Sequence, residues 1–135
     1  MDWRMCVDGV ETEIGVAENR LSASELGIKD AKTLTFSTRF TLTDKPSTVW
    51  LKFCCRNPLK VELDGKTVID TPDYTVVIPA YHRADNRKCT YADLTPGAHD
   101  IKITVGDVES FKELYFMPVA EKEVYWAYRI DTLFE

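Results

Sequence analysis

The segment TLTFSTRFTLT, residues 33–43, alternates without a break. Leu34, Phe36, Phe40 and Leu42 fall on one side of an extended chain, and Thr33, Thr35, Ser37, Arg39, Thr41 and Thr43 on the other. A helix cannot gather such a set, because its faces repeat every 3.6 residues or so, whereas a strand separates alternate residues onto opposite faces. This is a half-buried β-strand. Its apolar face has to be covered by a second layer, so the chain must build a sheet and something to pack on it.

The rest of the chain supplies further strands. STVWLKFCC (47–55) alternates with Val49, Leu51, Phe53 and Cys55 inward and Trp50, Lys52 and Cys54 on the opposite side. LKVELDGKTVID (59–70) reads as two short strands joined by Asp64-Gly65. That dipeptide suits a two-residue type I′ hairpin, whose central positions both need positive φ. YTVVIP (74–79) has strand length and composition, KCTYADL (88–94) runs into a Thr95-Pro96-Gly97 turn, and HDIKITV (99–105) alternates with Ile101, Ile103 and Val105 inward. FKELYFMPV (111–119) is apolar on both faces, which predicts a strand covered on both sides. EVYWAYRIDTLF (123–134) reads as a last strand. Only LSASELGIKD (21–30) has a helical look, with Ser22 placed as an N-cap and Glu25 three residues on, over one or two turns. Eight or more short strands with turn signals between them predict an all-β, two-sheet antiparallel sandwich.

A chain of 135 residues holds one domain with one core. The expected layout is a single sandwich over 1–135, with residues 1–32 forming an N-terminal arm and short helix packed on it. A net charge of −5 argues against nucleic acid and against anionic membranes, since both bind through clustered Lys and Arg. No stretch has the apolar length of a membrane helix, and the N-terminus lacks the basic and apolar regions of an export signal. Localisation is left open, because a cytoplasmic protein and a piece excised from a secreted one would both read this way. The four cysteines are expected to be free thiols, as Cys54 and Cys55 are adjacent and point to opposite faces of a strand. A zinc site from Cys89, His82 and one of that pair lacks the usual ligand spacing. No metal ligands are assigned.

Three motifs then stand in order. Phe36, Phe40 and Leu42 form F-x-x-x-F-x-L; Val61, Leu63, Gly65 and Val68 form V-x-L-x-G-x-x-V; Leu94, Gly97, His99, Ile101 and Ile103 form L-x-x-G-x-H-x-I-x-I. Over residues 33–105 this succession resembles the galactose-binding-domain-like jelly roll of carbohydrate-binding modules and of the sugar-binding domain of family 2 glycoside hydrolases. The resemblance implies a jelly-roll sandwich and a carbohydrate partner. It also implies that a structural calcium ion could be present, with ligands the motifs do not identify; no other cofactor is expected. The motifs fix no ligand-binding residues, so none is carried over.

From the residues themselves, two places could hold a sugar. AYHRADNRKCTY (80–91) joins two predicted strands and gathers His82, Arg83, Asp85, Asn86 and Arg87 between Tyr81 and Tyr91. Planar, multidentate polar groups and rings are what hydroxyls and pyranose faces require; the alternative is a solvated loop with weak Arg–Asp pairs. The second place is Trp50, on the side of its strand away from the core, where it needs either a ligand or a covering segment from around Trp3 or the C-terminus. Tyr115 and Tyr125 could extend such a platform. Two histidines and no nucleophile motif give no basis for catalysis, and His99, after the Pro-Gly turn, reads as structural. The expectation is a non-catalytic module that recognises an oligo- or polysaccharide through the polar and aromatic loop, by Tyr81, His82, Arg83, Asp85, Asn86, Arg87 and Tyr91, with Trp50 on the sheet face as the second candidate. The alternative is a protein-interaction or self-association domain with the same sandwich and no sugar site.

Overall fold

A computed structural model describes residues 2–42, 47–76 and 86–120. Among the described residues, ten strands fill two sheets. A six-stranded sheet has the order β2 (Val10–Ile14), β1 (Trp3–Val7), β4 (Leu34–Leu42), β9 (Gly97–Val105), β6 (Leu59–Leu63), β7 (Lys66–Thr71). A four-stranded sheet has the order β3 (Arg20–Ser22), β10 (Glu113–Ala120), β5 (Ser47–Cys55), β8 (Cys89–Leu94). Every pairing is antiparallel. This is a two-sheet β-sandwich, as the alternating segments predict.

The core lies between the sheets and follows strand parity. Leu34, Phe36, Phe40 and Leu42 of β4 meet Val49, Leu51, Phe53 and Cys55 of β5, all buried in one cluster with Ile101, Ile103 and Val105 of β9. Phe53 stacks on Phe116 of β10 at 4.8 Å between ring centroids, and Trp3 meets Phe116 edge-on at 6.0 Å. The indole N–H of Trp3 donates to Asn19 Oδ1 at 2.9 Å, which satisfies its one polar atom inside the core. Both faces of β10 are covered: Leu114 and Phe116 face the core, while Met117 and Val119, on the other side, are also buried.

Residues 2–32 supply strands to both sheets. β1 and β2 extend the six-stranded sheet and β3 forms an edge of the four-stranded one, so this segment is woven into the sandwich and carries Trp3 into the core. The helix is one turn, α1 (Ala23–Leu26), between Ser22 and Gly27, whose φ of 70° closes it. The capping box does not form. Ser22 makes no side-chain cap bond; its Oγ meets Ser24 Oγ at 3.2 Å, and Glu25 is drawn instead to Arg20 at 2.7 Å.

The Asp64-Gly65 hairpin forms as expected, with φ of 50° and 82°. Asp64 also ties the hairpin to β9: its backbone N–H donates to Asp100 O, and its Oδ1 accepts the Asp100 N–H, both at 2.8 Å. Tyr74 to Val76 are not in a strand, and the remainder of the expected 74–79 strand lies outside the described residues. So does the expected 123–134 strand.

Candidate functional site

β5 places Trp50, Lys52 and Cys54 on the face of the four-stranded sheet turned away from the core, and its neighbours complete that face in register. Trp50 lies between Tyr91 of β8 and Val119 of β10; Lys52 lies between Cys89 and Met117; Thr48 is opposite Asp93. The Trp50 and Tyr91 rings stack with centroids 5.4 Å apart and planes 6° from parallel. Such a pair contributes about 0.5–1.5 kcal/mol beyond area burial. Tyr91 is on the outermost described strand of its sheet and remains 57% exposed, so much of its side chain is open to a ligand.

Polar groups flank the rings on either side. One row along the strands, Thr48 Oγ1 donates to Asp93 Oδ1 at 2.6 Å; among the described residues Asp93 Oδ2 has no partner. One row the other way, Lys52 Nζ sits 4.5 Å from the centre of the Trp50 ring, a cation–π contact. Lys52 is buried, and this burial lowers its pKa, while the neighbouring Cys89 and Cys54 sulfurs oppose the shift. The arrangement can offer an aromatic face to an apolar ring surface, with a carboxylate beside it to accept a hydrogen bond from a hydroxyl.

Of the residues expected to bind, Trp50 and Tyr91 are therefore brought together, and Tyr91 belongs to the sheet face and not to the loop. Arg87 stands in a 3₁₀ turn, Asn86–Lys88, that leads into β8, and its guanidinium lies 3.6 Å from the Asp73 carboxylate. Asn86 is in the same turn; its side chain and all of Tyr81, His82, Arg83 and Asp85 lie outside the described residues, as does Tyr125. Trp3 does not cover Trp50, because it faces the core. Tyr115 is on the same outer face as Trp50, but its hydroxyl accepts from Arg20 Nε at 3.1 Å and donates to Glu113 at 3.3 Å, away from the stacked pair.

Lys88, which the sequence places at the end of the polar loop, and His99, read there as structural, both have structural tasks. Lys88 is buried and donates through Nζ to the carbonyls of Cys55 and Asn57 at 2.8 and 2.7 Å, fixing the 3₁₀ turn to the end of β5. His99 is held by the Asp64 carboxylate and the Thr95 carbonyl, at 2.8 and 2.7 Å from its two ring nitrogens. All four cysteines are free thiols. Among the described residues no group of three or more His, Cys, Asp or Glu side chains could hold a metal ion.

No protein-family model matches the chain, and no curated protein does. Solved structures do. The chain superposes on part of the β-glucosidase of Kluyveromyces marxianus with a TM-score of 0.62 at 8% identity, over 87% of this chain and 16% of that one. Weaker likenesses are to the family 31 glycoside hydrolase α-xylosidase of Xanthomonas citri (TM-score 0.49, 16% identity, 88% and 15% coverage) and the family 2 β-galacturonidase of Eisenbergiella tayi bound to galacturonate (0.47, 18%, 76% and 17%). At such identities the first of these establishes a shared fold. The chain is thus a β-sandwich of a kind found as a small part of a glycoside hydrolase.

Proposed function

We propose that the chain is a non-catalytic carbohydrate-binding module of the galactose-binding-domain-like type, and that a glycan ring stacks on the Tyr91–Trp50 pair. The observation that carries the reading is the stack itself, at 5.4 Å and 6°, with Tyr91 still more than half exposed on the outermost described strand of its sheet. A ring kept open to water and backed by a second ring is a poor use of apolar area unless something covers it. Pyranose C–H faces are suited to that role, and Asp93 beside the stack can accept hydrogen bonds from the sugar's hydroxyls. The motif order over 33–105 and the fold shared with part of a β-glucosidase support the same ligand class.

Affinity electrophoresis against a panel of neutral and acidic polysaccharides, followed by tryptophan-fluorescence titration with the retarding glycan, tests this. Binding is expected to change Trp50 emission, a signal that Trp50→Phe removes. Tyr91→Ala is expected to weaken the binding reported by that signal by about 1–3 kcal/mol, as for the loss of a stacked base from an aromatic platform, with a small change in melting temperature. Absence of retardation on every polysaccharide, with a stable oligomer by light scattering, would replace this reading with that of an assembly domain. Retardation unaccompanied by any effect of Tyr91 or Trp50 would move the site off this face.

A further inference from the structure

A groove of about 940 Å³ crosses the opposite side of the sandwich, on the outer face of the six-stranded sheet. Its floor includes one straight register row: Glu13 of β2, Arg4 of β1, Ser37 of β4, Lys102 of β9 and Glu62 of β6. Five strands spaced at about 4.8 Å make that row roughly 19 Å long. It therefore runs across the strands, with a length that suits several linked sugar units.

The row is not closed by its own contacts. Glu62 and Lys102 are directly opposite in register, yet they form no ion pair with each other, and the side chains of Ser37, Lys102 and Glu62 make no described hydrogen bond. Arg4 touches Glu13 at 3.3 Å and Glu11 at 3.8 Å, but its side chain is 56% exposed, so these pairs are weak and cost little to exchange for a ligand's hydroxyls. In the next row, Arg39 is paired with Asp100 through Nε at 2.7 Å and Nη2 at 3.3 Å, but both side chains are more than half exposed, so this pair too can be exchanged at little cost. The charged groups lining the groove are Asp2, Glu13, Glu62 and Asp100 against Arg4, Arg39 and Lys102, four negative and three positive. A polyanion would meet carboxylates and a polycation would meet guanidinium and ammonium groups. A neutral chain rich in hydroxyls can use both kinds, as donor to the first and acceptor from the second.

We propose that this groove is a second binding site, for an extended neutral oligosaccharide, independent of the Tyr91–Trp50 face. For its ligand class the inference rests on the carbohydrate reading above, while its location does not. Two sites on opposite faces would let one domain join two polysaccharide chains.

Isothermal titration with cellohexaose, xylohexaose, mannohexaose and laminarihexaose, and with polygalacturonate for comparison, separates the outcomes. For the hexaose that binds, the wild type is expected to take two molecules per chain, Ser37→Trp one and Tyr91→Ala one. Lys102→Ala, which adds no bulk, is expected to weaken the groove's binding about tenfold without changing melting, so the result does not depend on how Ser37→Trp folds. Occupancy of one, unaffected by Ser37→Trp and Lys102→Ala, would overturn the groove and leave the ring face standing. Occupancy of one that is abolished by Ser37→Trp and indifferent to Tyr91→Ala would keep the groove and remove the ring face. Binding of no hexaose, or tighter binding of polygalacturonate in the groove, would overturn the assignment of a neutral chain.

Discussion

His99 is packed beside Phe40, with ring centroids 5.6 Å apart, and both of its nitrogens face acceptors. Both can donate only if the imidazole is protonated. Burial works against that charge, but the bond to Asp64, the bond to the Thr95 carbonyl and the nearby Asp64 and Asp100 carboxylates outweigh it, so the pKa stands above the ordinary 6.5. A pKa raised on folding gives stability that is complete below pH 6.5 and is lost as pH rises through the folded value. The melting temperature is therefore expected to fall across that window, and Asp64→Asn is expected to flatten the fall. A pH scan of melting for the two proteins checks this; parallel curves would remove His99 from the explanation. At the acid end the sign is opposite. Asp8, held by the Thr33 and Lys32 backbone N–H groups, and Asp100, held by Arg39, have pKa values below the ordinary 3.8, and their contributions are lost as pH falls through those lower values.

Among the elements, the link between β9 and β10 shows how contact, and not conformation, can require a glycine. Gly106 does not have positive φ, but a Cβ built on it would lie 2.9 Å from Pro58 Cβ, and its N–H donates to Pro58 O at 2.8 Å. Pro58 stands between the buried Asn57, whose amide nitrogen donates to the carbonyls of Gly106 and Asp107, and the first residue of β6. The neighbour has little room to yield. Gly106→Ala is expected to destabilise the fold by about 1–3 kcal/mol through overpacking, read as a lower denaturant midpoint with unchanged slope. The same substitution at a glycine with open space and ordinary φ, Gly15, is expected to have little effect.

At the scale of the whole molecule, two sheets present two different outer faces. The four-stranded face carries rings, the six-stranded face carries charges in near balance, and the net charge of −5 is spread over the chain. Neutral-glycan binding at either face has no counterions to release, so affinity is expected to change less than about threefold between low and physiological salt. A steep loss with salt, measured by the same titration, would point to a polyanionic ligand. β10 illustrates why the faces differ: it is buried on both sides, whereas β4 and β9 in the other sheet keep an exposed polar side.

The alternation in 33–43, 47–55 and 99–105, the Asp64-Gly65 turn and the doubly apolar 111–119 segment were enough to specify strands, their inward faces and a sandwich, because side-chain direction along a strand is a local property with a period of two. Parity also placed Trp50 away from the core. Register is not local. Only the pairing of β5 with β8 set Tyr91 against Trp50, only the insertion of β1 took Trp3 into the core, and only the order β2-β1-β4-β9-β6 lined up Glu13, Arg4, Ser37, Lys102 and Glu62 in one row. Ser22 and Glu25 have capping-box spacing, yet Glu25 is taken by Arg20, a partner fixed by where β3 runs. Strand identity follows from each segment's own pattern, but a binding face is made by residues far apart in the chain, and their meeting depends on how the strands are ordered in space.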